Sequence, residues 1–404
     1  MASLEPAFDL QGPGLAVAHT GIGLSGLGAG SRNLVMTLGG RVELALLYWA
    51  GRDRPCPVDE PGGPCLLPEE GTYKDQVLRF DGNLVTGTRL GAEGQPDTNA
   101  GPINNLGYFA DVTELVRGRG TGRQTFPVSD GDRSSNLADL DGAGLLVVYT
   151  DSAHPAPSRV IVFHGLDFAY GEDRSHGSME VTEPITFNHG AARASLRRGK
   201  LVIFAGDAVA IGPDRIDVSR NASLVNRLDG SAGASWDADL FQVDLPAGAG
   251  ATTVQIFSEP IGRNPDSFLW VAAALWLPLP VPSGCPAGLW NREAGLWGPT
   301  GLTVGQRVMN VFREANEYGP AGAATVRTAL RFREGPGLLG AAKRLLAAGV
   351  AAVLNAGHPK IEYPLTQVQV VTRVDTALRN DDVAEILALA AELEDANEAG
   401  CPLD

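Results

Sequence analysis

The chain of 404 residues is long enough to bury a full core and to form two or three domains. Its 44% hydrophobic and 20% charged residues exclude a disordered chain, and 51 Gly with 27 Pro favour a turn-rich β-sandwich over a helical bundle for the larger part. The 32 basic and 47 acidic residues leave a formal charge of −15, which argues against nucleic-acid or anionic-membrane partners, because long-range repulsion opposes both.

Taken from the start, Met-Ala-Ser-Leu-Glu-Pro lacks the basic and apolar regions of a secretory leader; either a leader was removed or export does not use that route. Residues 1–30 form an extended, glycine-rich segment, suited either to an ordinary first strand or to adding a strand to a neighbour's sheet. Gly21-Ile-Gly-Leu-Ser-Gly26 matches G-x-G-x-x-G, but no helix can open on the Gly-rich residues behind it, so the dinucleotide reading has no context. Val42–Trp49 should be a central strand, buried on both faces near its end. Asp81-Gly82-Asn83 supplies the positive-φ residues of a tight hairpin within 76–85. Further strands are expected near Tyr108–Val116, Ala143–Tyr149, Arg159–His164, Lys200–Phe204, Leu240–Val243, Thr252–Phe257 and Phe268–Leu277. Their spacing implies antiparallel sheets packed face to face over residues 31–277, as one large sandwich or two small ones.

The Pro-rich stretch 278–284 marks a hinge, and beyond it the apolar period turns helical. Thr303-x-x-Gln306 and Thr366-x-x-Gln369 read as capping boxes, and Leu338–Asn355, Gln367–Leu378 and Val383–Ala399 read as helices. The fold class is therefore α+β and multidomain: an antiparallel β-sandwich or jelly-roll-like part, then a small helical bundle over 285–404. No run of about 18 apolar residues is evident, the nearest being Phe268–Val281, so membrane insertion is not expected.

Four cysteines allow three pairings, of which proximity picks Cys56 with Cys65 around a turn-prone loop and Cys285 with Cys401 at the ends of the helical part, the alternative being buried free thiols. Neither C-x-x-C nor a nearby His suggests zinc. Disulfides argue for an oxidising compartment, hence an extracellular or cell-surface location. Asp130, Asp132, Asp139 and Asp141 lie in one loop, and Asp237 and Asp239 in another; clustered carboxylates suit calcium, although Asp is also a turn former. A pair of such acids could also serve glycoside hydrolysis, if held on one cleft. Of the histidines, only His164, His176 and His189 could converge. Asn221-Ala-Ser223 fits a glycosylation sequon and reads as incidental. Trp49, Trp236, Trp270 and Trp276 fall in apolar strands and read as core before they read as a glycan platform.

Gly284-Cys285-Pro286-x-x-x-Trp290, Ala351-Ala-Val-Leu-Asn-Ala356 with His358-Pro, and Asn397-x-x-Gly-Cys401-Pro-Leu403 together resemble a helical module appended to many bacterial exported proteins, which opens on Cys-Thr-Pro-Gly-Tyr-Trp-Lys. Ala287–Leu289 and Asn291 depart from that opening. Ala45-Leu-Leu-Tyr-Trp-Ala-Gly51, Val77-x-x-Phe-Asp-Gly82, Ala110-Asp-Val-Thr113 and Gly142-Ala-Gly-Leu-x-Val-Val-Tyr149 are similar to uncharacterised β domains of bacterial surface proteins. With no catalytic motif found, the expectation is a non-enzymatic extracellular structural protein. It would form a surface, filament or layer with copies of itself, by N-terminal strand exchange. A calcium-assisted adhesion or glycan-binding module is the alternative.

Overall fold

In the computed structural model, residues 2–25, 30–53, 76–97, 101–130, 138–170, 181–192, 194, 196–207, 214–233, 235–258 and 267–403 are described. They fall into two units, one of Met1–Gly190, Arg197–Leu245 and Ala249–Leu279, the other of Pro280–Asp404 with two short loops. The boundary at Leu279 and Pro280 lies in the Pro-rich stretch. Strands precede it and most helices follow it, which is the α+β class expected from the sequence.

The described strands of the first unit all pair antiparallel. Its strands are β1 (Ala2–Pro13), β2 (Leu15–Gly23), β3 (Arg32–Leu38), β4 (Arg41–Asp53), β5 (Val77–Phe80), β6 (Asn83–Thr86), β7 (Thr88–Asp97), β8 (Gly101–Asp111), β9 (Gly122–Asp130), β10 (Ala138–Thr150), β11 (Pro157–Tyr170), β12 (Ile185–Asn188), β13 (Arg197–Gly206), β14 (Asp214–Val218), β15 (Leu224–Val225), β16 (Trp236–Leu245), β17 (Ala251–Ser258) and β18 (Ser267–Pro278). Four sheets result, ordered β2-β10-β4-β8-β7, β3-β9-β5-β6, β1-β11-β18-β13-β16 and β12-β17-β14-β15. The first two enclose one apolar core and the last two another, each with the strand order of a jelly roll.

The two five-stranded sheets also share a core of their own, so each is buried on both faces. Along β4, Ala45, Leu47 and Trp49 fill the first jelly roll while Leu44, Leu46, Tyr48 and Ala50 face the second. That is why β4, β10 and β18 read as continuous apolar runs rather than alternating ones. Glycines open the layer: a Cβ on Gly144 would lie 2.4 Å from the Phe204 ring, one on Gly21 2.3 Å from the Ala238 Cβ, and one on Gly107 2.8 Å from Leu166.

Within residues 1–30 the described chain forms two strands, β1 and β2, in line with the ordinary-strand alternative. β1 pairs with β11 of the second jelly roll and β2 with β10 of the first. Gly14 alone turns the chain between them, at φ 65°. The corner is fixed by Gly14 N–H to the Ala156 carbonyl (3.0 Å), Asp151 N–H to the Gly14 carbonyl (2.7 Å), and donation from Ser158 Oγ and Trp276 Nε1 to the Leu15 carbonyl. The hairpin between β5 and β6 turns on Asp81 (φ 49°) and Gly82 (φ 80°), as read from the sequence. The expected strand at Tyr108–Val116 stops at Asp111, because Asp111 accepts the Thr113 N–H and a short helix α1 (Thr113–Arg117) follows.

The second unit holds α2 (Ala287–Arg292), α3 (Pro320–Ala323), α4 (Val326–Ala329), α5 (Gly337–Gly357), α6 (Gln367–Asn380) and α7 (Val383–Asn397). The capping box at Thr366 and Gln369 forms as expected, but Thr303–Gln306 closes only a turn, with Gln306 N–H on the Thr303 carbonyl, and a 3-10 turn at Val308–Asn310 follows in place of an α-helix. Helix α5, 21 residues with Lys343 and Arg344 as its charged residues, is long and apolar enough by length and composition to cross a membrane, a span the sequence reading did not single out; it is nevertheless the buried centre of this unit. Buried Asn355 fixes its register. Its Oδ1 accepts from Cys285 N–H (2.9 Å) and Trp290 Nε1 (3.0 Å), and its Nδ2 donates to the Cys285 carbonyl (2.9 Å) and to Asn397 Oδ1 (2.8 Å).

Two outcomes follow. Replacing Gly144 by Ala should cost about 1–3 kcal/mol in urea unfolding through collision with Phe204, and a loss below about 0.5 kcal/mol would mean that the sheets do not meet there. Asn355→Leu should cost the second unit more than about 2 kcal/mol in thermal or urea unfolding, since it strands several buried groups at once.

Candidate functional site

Of the acids singled out from the sequence, Asp141, Asp237 and Asp239 have described side chains. Cys56, Cys65 and Asp132 lie outside the described residues, as do the side chains of Asp130 and Asp139. Asp141 is buried on β10, close against Gly206 of β13, so it sits in the layer between the jelly rolls and not on an open loop. Asp237 and Asp239 do come together at the start of β16, and their organiser is Ser231. Its Oγ donates within 3.0 Å of Asp237 and 3.1 Å of Asp239, while its N–H (2.7 Å) and that of Gly230 (3.0 Å) also reach Asp237.

Two more acids belong to this corner, Asp214 and Asp229. Asp214 is fully buried and accepts the Arg227 and Leu228 N–H groups at 3.1 and 3.0 Å. Asp229 opens the Asp-Gly turn that carries Ser231. The Asp229-Gly230 dipeptide was the available signal, but Asp214, at the head of a strand, offered none.

Burial pushes the Asp237 carboxyl up to about 6, against the opposing pull of the Gly230 and Ser231 donors. Burial likewise raises Asp214 and Asp239, and the Asp229 charge adds to both. The corner is therefore a knot in which carboxylates collect backbone amides of the 227–231 loop. Its accumulated negative charge is what a cation would relieve, yet among the described residues no group of three or more His, Cys, Asp or Glu is arranged to hold a metal. Asp237 is also enclosed, with no exposed surface through which its proton could meet a substrate.

The described histidines do not converge. His176 lies outside the described residues, His164 faces Tyr48 and Phe109 between the jelly rolls, and His189 is held at the end of β12 by Thr252 Oγ1 (2.9 Å). The sequon residue Asn221 is consumed by structure: it donates to the Ser219 and Asp244 carbonyls and accepts from the Asp244 N–H. Trp49, Trp236 and Trp270 are buried, and Trp276 is half-buried under Lys200; no aromatic ring among the described residues is exposed. The Cys285–Cys401 disulfide forms as paired from the sequence.

No family model matches the sequence, and no curated protein matches it. Among solved structures, the chain is similar to PNGase F, a glycosylasparaginase from Flavobacterium meningosepticum, at 8% identity and TM-score 0.24, over 67% of this chain and 96% of that one. It is also similar to the STIV MCP at 9% identity and TM-score 0.23, over 64% and 96%. At those scores neither likeness carries an argument about function.

The raised Asp237 carboxyl gives a signed expectation. Because its folded value lies above the ordinary one near 3.8, the protein gains stability by keeping that proton, and the gain is lost as pH rises through about 6. Between pH 4 and 7, wild type should fall relative to Asp237→Asn by at most about 3 kcal/mol in urea unfolding. Parallel profiles would refute the shift.

Proposed function

We propose that the protein is a non-enzymatic structural subunit of the cell exterior that assembles with copies of itself by exchanging its N-terminal strand. The observation that carries this reading is β1. It belongs to the second jelly roll although it precedes the first in sequence, it pairs only with β11 among the described strands, and one residue, Gly14, joins it to β2. An exchanged β1 would keep the same register on β11 of the next copy, so exchange costs little in contacts and needs only the Gly14 corner to open. Simple edge-to-edge addition is less favoured, because Pro6, a bulge, Glu5 and Asp9 blunt that strand. The disulfide of the helical unit supports an oxidising, extracellular setting.

A calcium-assisted adhesion role is the second reading, favoured by the excess negative charge shared among Asp214, Asp229, Asp237 and Asp239. Glycan binding would need rings that the described surface does not expose.

The test uses Gln11→Cys with Arg159→Cys, two positions that face each other across β1 and β11. Electron microscopy should show regular filaments or sheets, and a non-reducing gel of that assembled sample should show a covalent ladder of multimers. Assemblies that yield only cross-linked monomers would overturn strand exchange, and monodisperse protein at all concentrations would overturn assembly itself. Assembly that vanishes with a chelator would favour the calcium reading.

A further inference from the structure

The two jelly rolls are joined covalently at two neighbouring places, Gly14 between β1 and β2, and residues 151–156 between β10 and β11. Hydrogen bonds stitch these two crossings together, so both connections lie at one corner, as in a hinge. Away from that corner the described residues hold the jelly rolls together through the shared layer and, at the far end of β2, through Gly23 N–H on the Ala232 carbonyl (2.8 Å), and the layer is not fully satisfied. Tyr48 Oη, His164 Nδ1 and Trp236 Nε1 are buried in it without a hydrogen-bond partner among the described residues.

His164 reaches from β11 into a ring of aromatic side chains: Phe109 on β8 (centroids 4.4 Å apart), Tyr48 on β4 (6.0 Å) and Phe8 on β1 (6.0 Å). The elements around it offer little to a charge. Tyr48 is a phenol that burial keeps protonated, β18 brings Ala272 opposite His164, and Glu5, opposite on β1, is solvent-exposed. On the far side, His19 of β2 is half-buried against the Ala238 backbone of β16, and Asp141 is buried beside Gly206. At the hinge itself, Asp151 bonds His154 at 2.8 Å.

We propose that the layer between the jelly rolls is an acid-sensitive joint, in which protonation of His164 loosens the contact about the Gly14 corner while each jelly roll keeps its own core. His164 is half-buried with its Nδ1 enclosed, so a charged imidazole is poorly hydrated against these rings and its proton is taken up more readily as the joint opens. Burial alone holds His164 at about 4, well under its usual range, and burial outweighs the Ala238 bond at His19. For a histidine lowered on folding, stability is intact above about 6.5 and is lost as pH falls toward 4.

The experiment exploits two neighbours on β18 that face opposite ways. Ala272 lies in the layer between the jelly rolls and Ala273 in the core of the second one. In the full chain, Ala272→Cys and Ala273→Cys are each reacted with 4,4′-dithiodipyridine from pH 7 to 4.5, with rates followed by peptide mass spectrometry and normalised to a free cysteine peptide. Labelling at position 272 should rise roughly 50-fold over that range, the linkage expected for the His164 shift, while position 273 stays protected. In His164→Gln and His164→Phe backgrounds the rise should shrink at least tenfold. Equal acceleration at both positions, no rise at 272, or a rise unaltered in both His164 variants would overturn the proposal.

Discussion

Close approach of two sheets, made possible by glycine in the strands of one of them, is the constraint on which the first unit depends. Gly21, Gly144 and Gly107 of the first jelly roll leave notches for Ala238, Phe204 and Leu166 of the second. A side chain at any of them would force the sheets apart and cost the dispersion contacts of the whole layer. Because both five-stranded sheets are covered on both faces, the unit gains burial that a lone jelly roll of this size lacks. The same tightness leaves Tyr48, His164 and Trp236 with buried polar atoms that have no hydrogen-bond partner among the described residues.

That packing bears on how the molecule could act. A cleft between the jelly rolls would be the natural place for a ligand, but there the sheets meet through apolar side chains and glycine backbone. The acids that do gather, around Ser231, are engaged with their own loop. β1, paired with β11 through irregularities at Glu5 and Pro6 and joined to β2 by Gly14 alone, is an edge strand of its sheet among the described strands.

Much of the fold was legible in the residues. The Asp-Gly hairpin, the apolar runs of β4, β10 and β18, the Thr366 capping box and the helices from Gly337 onward carry local signals strong enough to survive tertiary context. The role of residues 1–30 was not, because pairing of β1 with β11 spans some 150 positions and leaves no periodic trace in either strand. The Ala-Asp-Val-Thr run looked extended, yet the Asp111 side chain captures the Thr113 amide and turns it. Thr303 and Gln306 had the right spacing for a capping box without an apolar period to continue it. At the candidate site, Asp237 and Asp239 were visible as neighbours in sequence, whereas Asp214 joins them only through the sandwich.

The most direct test of the notched layer is a reciprocal exchange of one methyl group. Gly21→Ala, Ala238→Gly and the double variant would be compared by urea unfolding. If the two positions touch as described, each single change destabilises and the double is more stable than their sum by over about 1 kcal/mol. Additivity within about 0.5 kcal/mol would mean that the sheets do not meet at these residues, and the account of how the two jelly rolls are held together would fail.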